Sequence, residues 1–259
     1  MLHGDFSELA ENYTRYRPGY SQTACRLILD LVGKPADQIS VADVGAGTGI
    51  WSRELAAHGV ADLVAIEPND QMREQGKKGT ENNSISWLAG SGEKTGLAEG
   101  SVDLLTMASS FHWTNFDDAI QEFHRVLKPN GCFAALWNTR RLEASPLLQK
   151  IEAKLQLYVP NINRVSSGRS EFCNTLTQRL MECPLFEDVV QINGYHRERM
   201  TIDRYIGIWR SVNDIPVQIG EDNFAEFLDF IGKELVGLEH IVADYETRAW
   251  VTRRTETNL

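Results

Sequence analysis

Three glycines at alternate positions, Gly45, Gly47 and Gly49, follow the strand-like run VADV, and Glu67 stands 20 residues beyond Gly47. Glycines in such a turn let the backbone pass close beneath a ligand, and a carboxylate at that distance takes ribose hydroxyls. The spacing reads G-x-G-x-G, one residue short of the dinucleotide pattern, with Ile50 and Trp51 where its last glycine would fall. No basic residue stands directly after the turn to meet phosphates. The loop therefore predicts an adenosine cofactor without pyrophosphate, and S-adenosylmethionine has that chemistry.

These residues need a sheet to hold them. From residue 39 onward the pattern alternates strand and helix: ISVADV, a helix from about Trp51 to His58, Leu63–Glu67, a helix from about Asn69–Asp70, and ISWLAG. The apolar run VDLLTMA reads as a fully buried strand. Phe116, Ala119, Ile120, Phe123 and Leu127 recur at helical intervals, Lys128–Gly131 stops that helix, and CFAALWN is the next buried strand. Such alternation predicts a mostly parallel α/β sheet with helices on both faces and ligands beyond the carboxyl ends of the strands. After residue 139 helical stretches near 145–158, 170–183, 201–211 and 221–237 surround a strand at about 187–197. Residues 241–251 alternate as a half-buried strand. One domain is expected: a cofactor half over 37–138, a lid over 139–238 and the final strand.

Composition narrows the partners. The 259 residues are 42% hydrophobic, with no apolar run near the roughly 18–20 residues of a membrane span. The opening MLHGDFSELAENY lacks a signal-peptide pattern. Cys25, Cys132, Cys173 and Cys183 are scattered and form no C-x-x-C pair, which predicts neither zinc site nor disulfide framework but a cytoplasmic chain with reduced thiols; Cys132 reads as a small buried apolar residue. A net charge of −10 argues against nucleic acid. Residues 139–215 nevertheless carry 11 Lys/Arg against 9 Asp/Glu, and a locally basic stretch in an acidic chain draws an anionic ligand or merely solvates helix faces. No motif names a partner protein or fixes a subunit count.

Seven segments in order, YTRYRPGY (13–20), DVGAGTG (43–49), AIEPNDQM (65–72), GSGEKTGLAEGSVDLL (90–105), SSFHW (109–113), EFHRVLKPNG (122–131) and ALWN (135–138), resemble the class I S-adenosylmethionine-dependent methyltransferases. Within them the chain is most similar to the branch of trans-aconitate methyltransferase, over roughly residues 6–139 and only loosely beyond. The resemblance implies a Rossmann-like, seven-stranded sheet whose last strand is antiparallel, with a helical lid among the late strands. It implies that Gly45, Ala46 and Gly47 pass under the methionine half and ribose, that Glu67 grips the diol, and that Pro68 and Met72 flank adenine. Gly92 and Glu93 fall where the family contacts adenine, though the Glu93 side chain can equally face solvent. Ser109 would meet the amino-acid end. Tyr13 and Arg17 would lie on a leading helix over the cofactor, with Arg17 toward its carboxylate, or on an ordinary surface helix.

His112 and Trp113 would stand beside the reacting methyl, as catalytic residues or as a packed strand end. Trp137 and Asn138 would line the acceptor pocket, with Trp137 alternatively in the core. The expected reaction is O-methylation of a small carboxylic acid by in-line displacement, releasing S-adenosylhomocysteine. Methylation of carbon, nitrogen or a phenol on a quinone-like or secondary metabolite, and an inert cofactor-binding module, are the alternatives. Candidate anion anchors are Arg140, Arg169, His196, Arg197, Arg204 and Arg210, with Arg210 first among them.

Overall fold

The computed structural model describes residues 9–81, 84–143, 145–160, 162, 164 and 167–256. Its centre is a seven-stranded sheet of β1 (Ser40–Val44), β2 (Asp62–Ile66), β3 (Ile85–Leu88), β4 (Val102–Ala108), β5 (Leu127–Arg141), β6 (Phe186–Thr201) and β7 (His240–Arg254), in the order β3-β2-β1-β4-β5-β7-β6. The pairs from β3 through β5 are parallel, and β7 runs antiparallel between β5 and β6. This is the expected Rossmann-like arrangement.

Side chains alternate across the sheet and feed two cores. Phe133, Ala135 and Trp137 of β5 join one core with α5 (Phe116–Val126) and α7 (Glu171–Met181); Cys132, Ala134 and Leu136 join the other with α2 (Gln22–Leu31) and α3 (Ile50–Ala57). Cys132 is the small buried residue expected. The helix α2, unforeseen, is capped by Ser21, whose Oγ accepts from Ala24 N–H, and buries Ala24, Cys25, Ile28 and Leu29 on one stripe. The helix α5 ends one residue earlier than its periodicity implied, because Leu127 already pairs with Val102 in the sheet.

A third core sits past the sheet's carboxyl edge. It packs α6 (Pro146–Gln156), α8 (Ile202–Arg210), α9 (Asp214–Ile219) and α10 (Glu221–Glu234) against Met200, Ile241, Ala243 and Tyr245. Segment 139–238 is thus not all lid: β6 belongs to the sheet and α7 covers its face. The strands β5 and β7 pair from Cys132↔Arg253 to Arg141↔Asp244, so β5 runs past Asn138 and carries Arg140 out to the lid. The last strand alternates only as far as Tyr245; beyond it both faces are buried, as a strand between two neighbours and two layers requires. Two short elements complete the cofactor side, α1 (Ala10–Tyr16) and α4 (Asp70–Gly79).

Candidate active site

The chain reverses its winding direction between β1 and β4, which opens a crevice at their carboxyl ends. At the end of β1, Gly45 and Gly47 hold φ of 65° and 59°, a region that favours glycine. A Cβ on Gly45 would lie 2.6 Å from Ser110 Cβ, so the floor admits no side chain. Gly49 serves packing instead: it caps α3 at φ 75°, and a Cβ there would press on the Trp87 ring at 3.0 Å. Gly45→Ala is expected to cost about 1–2 kcal/mol from backbone strain alone, with the steric clash added, and to abolish high-affinity cofactor binding. A melting curve and a calorimetric titration check it; an unchanged midpoint would refute the strained-turn account.

Glu67 follows the end of β2 and is 7% exposed. Its Oε2 accepts from Gly47 N–H at 2.8 Å and its Oε1 from Asn69 N–H at 2.9 Å. Burial raises its pKa, while those two backbone donors pull it back. A carboxylate offers about four lone-pair sites, so both oxygens can still accept from a diol. Asn69 in turn caps α4 by accepting from Gln71 and Met72 N–H, which sets Met72 facing Gly47. A side-chain-free floor with a fixed acceptor beside it fits an adenosine ligand.

Every residue expected to hold the cofactor borders one cavity of about 300 Å³: Tyr13 and Arg17 from α1 and its cap, Gly45, Ala46, Gly47, Glu67, Pro68, Met72, Gly92, Glu93 and Ser109. The Glu93 carboxylate accepts from Asn115 N–H at 2.8 Å and so ties its loop to the start of α5. Ser109 has φ of 57°, unusual for a non-glycine residue, and its N–H bonds Leu136 O. Its hydroxyl lies 3.1 Å from that of Tyr20, which also borders the cavity and stacks edge-on to Trp51. Tyr20 carried no expected role, although it closes the YRPGY segment.

The cavity adjoins a second one of about 280 Å³, with Arg17, Pro18, Trp113 and Asn138 bordering both. Four arginines, Arg17, Arg140, Arg164 and Arg169, face it against Glu152 and Asp214. Arg140 comes from the far end of β5, with its guanidinium 4.5 Å above Trp209. It meets the Tyr205 hydroxyl at 3.4 Å, and Glu152 only at 3.9 Å. Glu152 is already engaged by Arg164 at 2.9 Å, so the cation on Arg140 is incompletely compensated.

Other expected site residues lie elsewhere. Trp137 is fully buried and packs on Phe172 and Trp250, the core reading of this residue. Its indole N–H donates to His112 Nδ1 at 3.2 Å, and neither residue borders either cavity. Trp113, 43% exposed, does. Asn138 borders both cavities and is fixed by bonds to Gly19 O at 2.7 Å and Thr247 Oγ at 3.1 Å. Arg210 is exposed beside Arg15 and Arg204 and touches neither cavity. Helix phase explains this: Tyr205, Ile208 and Trp209 turn inward, and the next residue rotates out to solvent. Of the remaining anchor candidates, Arg197 and Arg204 pair with Asp244 and Glu198, and His196 stacks on Tyr245. Among the described residues no group of three or more His, Cys, Asp or Glu is placed to share a metal ion, and no helix is long and apolar enough to cross a membrane.

Residues 42–135 match the methyltransferase domain family model. The chain is 33% identical over 118 residues to an uncharacterized methyltransferase-like protein of Schizosaccharomyces pombe, covering 46% of this chain and 45% of that one. It is 34% identical over 135 residues to an uncharacterized methyltransferase of Mycobacterium tuberculosis, 52% of each. The matched region spans about half the length of these curated relatives. A solved structure from Anaeromyxobacter dehalogenans, named for a type II methyltransferase, shares the fold with a TM-score of 0.69 at 20% identity, covering 92% of this chain and 98% of that one.

Proposed function

We propose that this chain, whose residues 42–135 match the methyltransferase domain family model, moves a methyl group from S-adenosylmethionine to a carboxylate oxygen of a small anionic acid, on the trans-aconitate methyltransferase-like branch. The observation that carries the reading is the junction of two cavities. One has a glycine floor and Glu67; the other, reached past Trp113 and Asn138, is faced by four arginines.

When bound, the cofactor supplies a methyl group already activated on a sulfonium. Glu67 takes the ribose hydroxyls as a charge-assisted acceptor, and Met72 and Pro68 cover adenine. A carboxylate, with a pKa near 4, is ionised at neutral pH and needs no proton removed. The chain's work is then to aim the acceptor and shed its water. Arg140 holds the anion, while Asn138, locked on both sides, and Trp113 shape the passage between the cavities.

This reading makes a base unnecessary, and His112 fits that. Burial pushes its pKa from 6.5 to about 4, and its Nδ1 already accepts from Trp137. The expected kcat–pH profile therefore has no His112 inflection between about 5 and 8; an inflection that disappears in His112→Gln would assign the ring a proton-transfer role. The same depression affects stability. As pH falls from 6.5 toward 4 the unfolded ring takes a proton that the folded ring refuses, so stability declines through that window.

The test has two stages. Calorimetric titration should show S-adenosylhomocysteine binding and no NAD binding. A labelled-methyl screen over carboxylic acids, phenols and amines should then place label in an acid as its methyl ester. Label appearing only in phenols or amines would replace the acceptor class, and NAD binding alone would end the methyltransferase reading.

A further inference from the structure

We propose that Ser211 is a positioning residue that sets the Arg17 guanidinium between the two cavities, so that one cation serves the carboxylate of the cofactor and that of the acceptor together. This rests on the methyltransferase reading above. Ser211 is fully buried just past α8, and its hydroxyl donates to Ile208 O at 2.6 Å. With its hydrogen committed, the oxygen can only accept, and it does so from Arg17 Nε at 2.9 Å. Arg17 Nη2 donates to Ser211 O at 3.2 Å, completing a fork on one residue.

The remaining guanidinium N–H groups of Arg17 have no hydrogen-bond acceptor among the described residues, and no carboxylate there pairs with it. The residue borders both cavities, stacked 4.9 Å over Tyr13. A cation left without a counter-ion at the mouth of two anion-receiving pockets has its complement in the ligands.

The reference point for this guanidinium is the lid rather than the sheet. The Tyr16 ring lies flat on α8 at Gly207, where a Cβ would come within 2.3 Å of it, and Arg204 Nε donates to Tyr16 O at 3.4 Å. The roof of the cofactor cavity and the wall of the acceptor cavity therefore share one mount. Occupying either cavity orders a group that the other needs, which is positive coupling between the two ligands.

The experiment is a double-mutant cycle of Ser211→Ala and Arg17→Gln, reading the S-adenosylhomocysteine Kd and the KM and kcat of the best acid found. Each single change is expected to weaken both cofactor affinity and acceptor KM by roughly tenfold, and the double variant to be no worse than either. Independent, multiplying effects, or a change confined to one ligand, would overturn the proposal. Arg17→Lys keeps the charge but cannot form the fork, so it should lose as much as Arg17→Gln; wild-type values for it would overturn the proposal even if Ser211→Ala fails to fold. Failure of the wild-type chain to bind S-adenosylhomocysteine would defeat the methyltransferase reading and this proposal with it. Normal binding and turnover with an additive cycle would defeat this proposal alone.

Discussion

Glu67→Ala is expected to weaken S-adenosylhomocysteine binding at least about 100-fold. Hydrogen bonds to a charged acceptor contribute roughly 1.5–3 kcal/mol each, and a diol makes two of them with Glu67. The change also strips Gly47 and Asn69 of the acceptor that holds their N–H groups, so the loop loses its brace as well as its ligand contact. Glu67→Gln should fall between, because the amide keeps one acceptor oxygen while its nitrogen opposes the loop's donors. Calorimetric titration of both variants checks this, and a Kd for Glu67→Ala within threefold of wild type would remove the carboxylate from the cofactor site.

Arg140→Gln is expected to raise the KM of the best acid by roughly 30- to 100-fold, the worth of a charge-assisted contact in a confined cavity. Cofactor affinity should stay within about twofold, since Arg140 borders only the second cavity. Arg210→Ala supplies the contrast, because that side chain points to solvent on the outer side of α8. Steady-state kinetics on the two variants decides between the anchors. Equal, small effects would leave the acceptor held by something other than Arg140.

The cofactor half was legible because its determinants are local. The three glycines and Glu67 sit at the ends of successive strands, and each strand announces itself by an apolar run closed by a turn. The second cavity is assembled from β5, α6, α8 and β7, and no short segment contains it. Arg140 stood among six candidate anchors without preference, because the polar stretch NTRR looks like a loop but is a strand leaving the two-sided cover of the helices. Arg210 drew attention by following a tryptophan; the deciding fact was helix phase, one residue past the inward face. The bond between His112 and Trp137 joins the turn after β4 to the interior of β5, a contact no linear motif reports. Tyr20 and α2 did leave signals, the Ser21 cap and a four-residue stripe, upstream of where the strand–helix alternation begins.

The placement of β7 sets an order on biosynthesis. Every residue bordering the cofactor cavity precedes Thr139, whereas the second cavity waits for Tyr245. Until His240–Arg254 leaves the ribosome, β6 has no strand to pair with and β5 lacks its outer neighbour. A nascent chain can therefore lay down the glycine floor and Glu67 before the second cavity has its last wall, while the roof that Arg17 forms over that floor waits for Ser211.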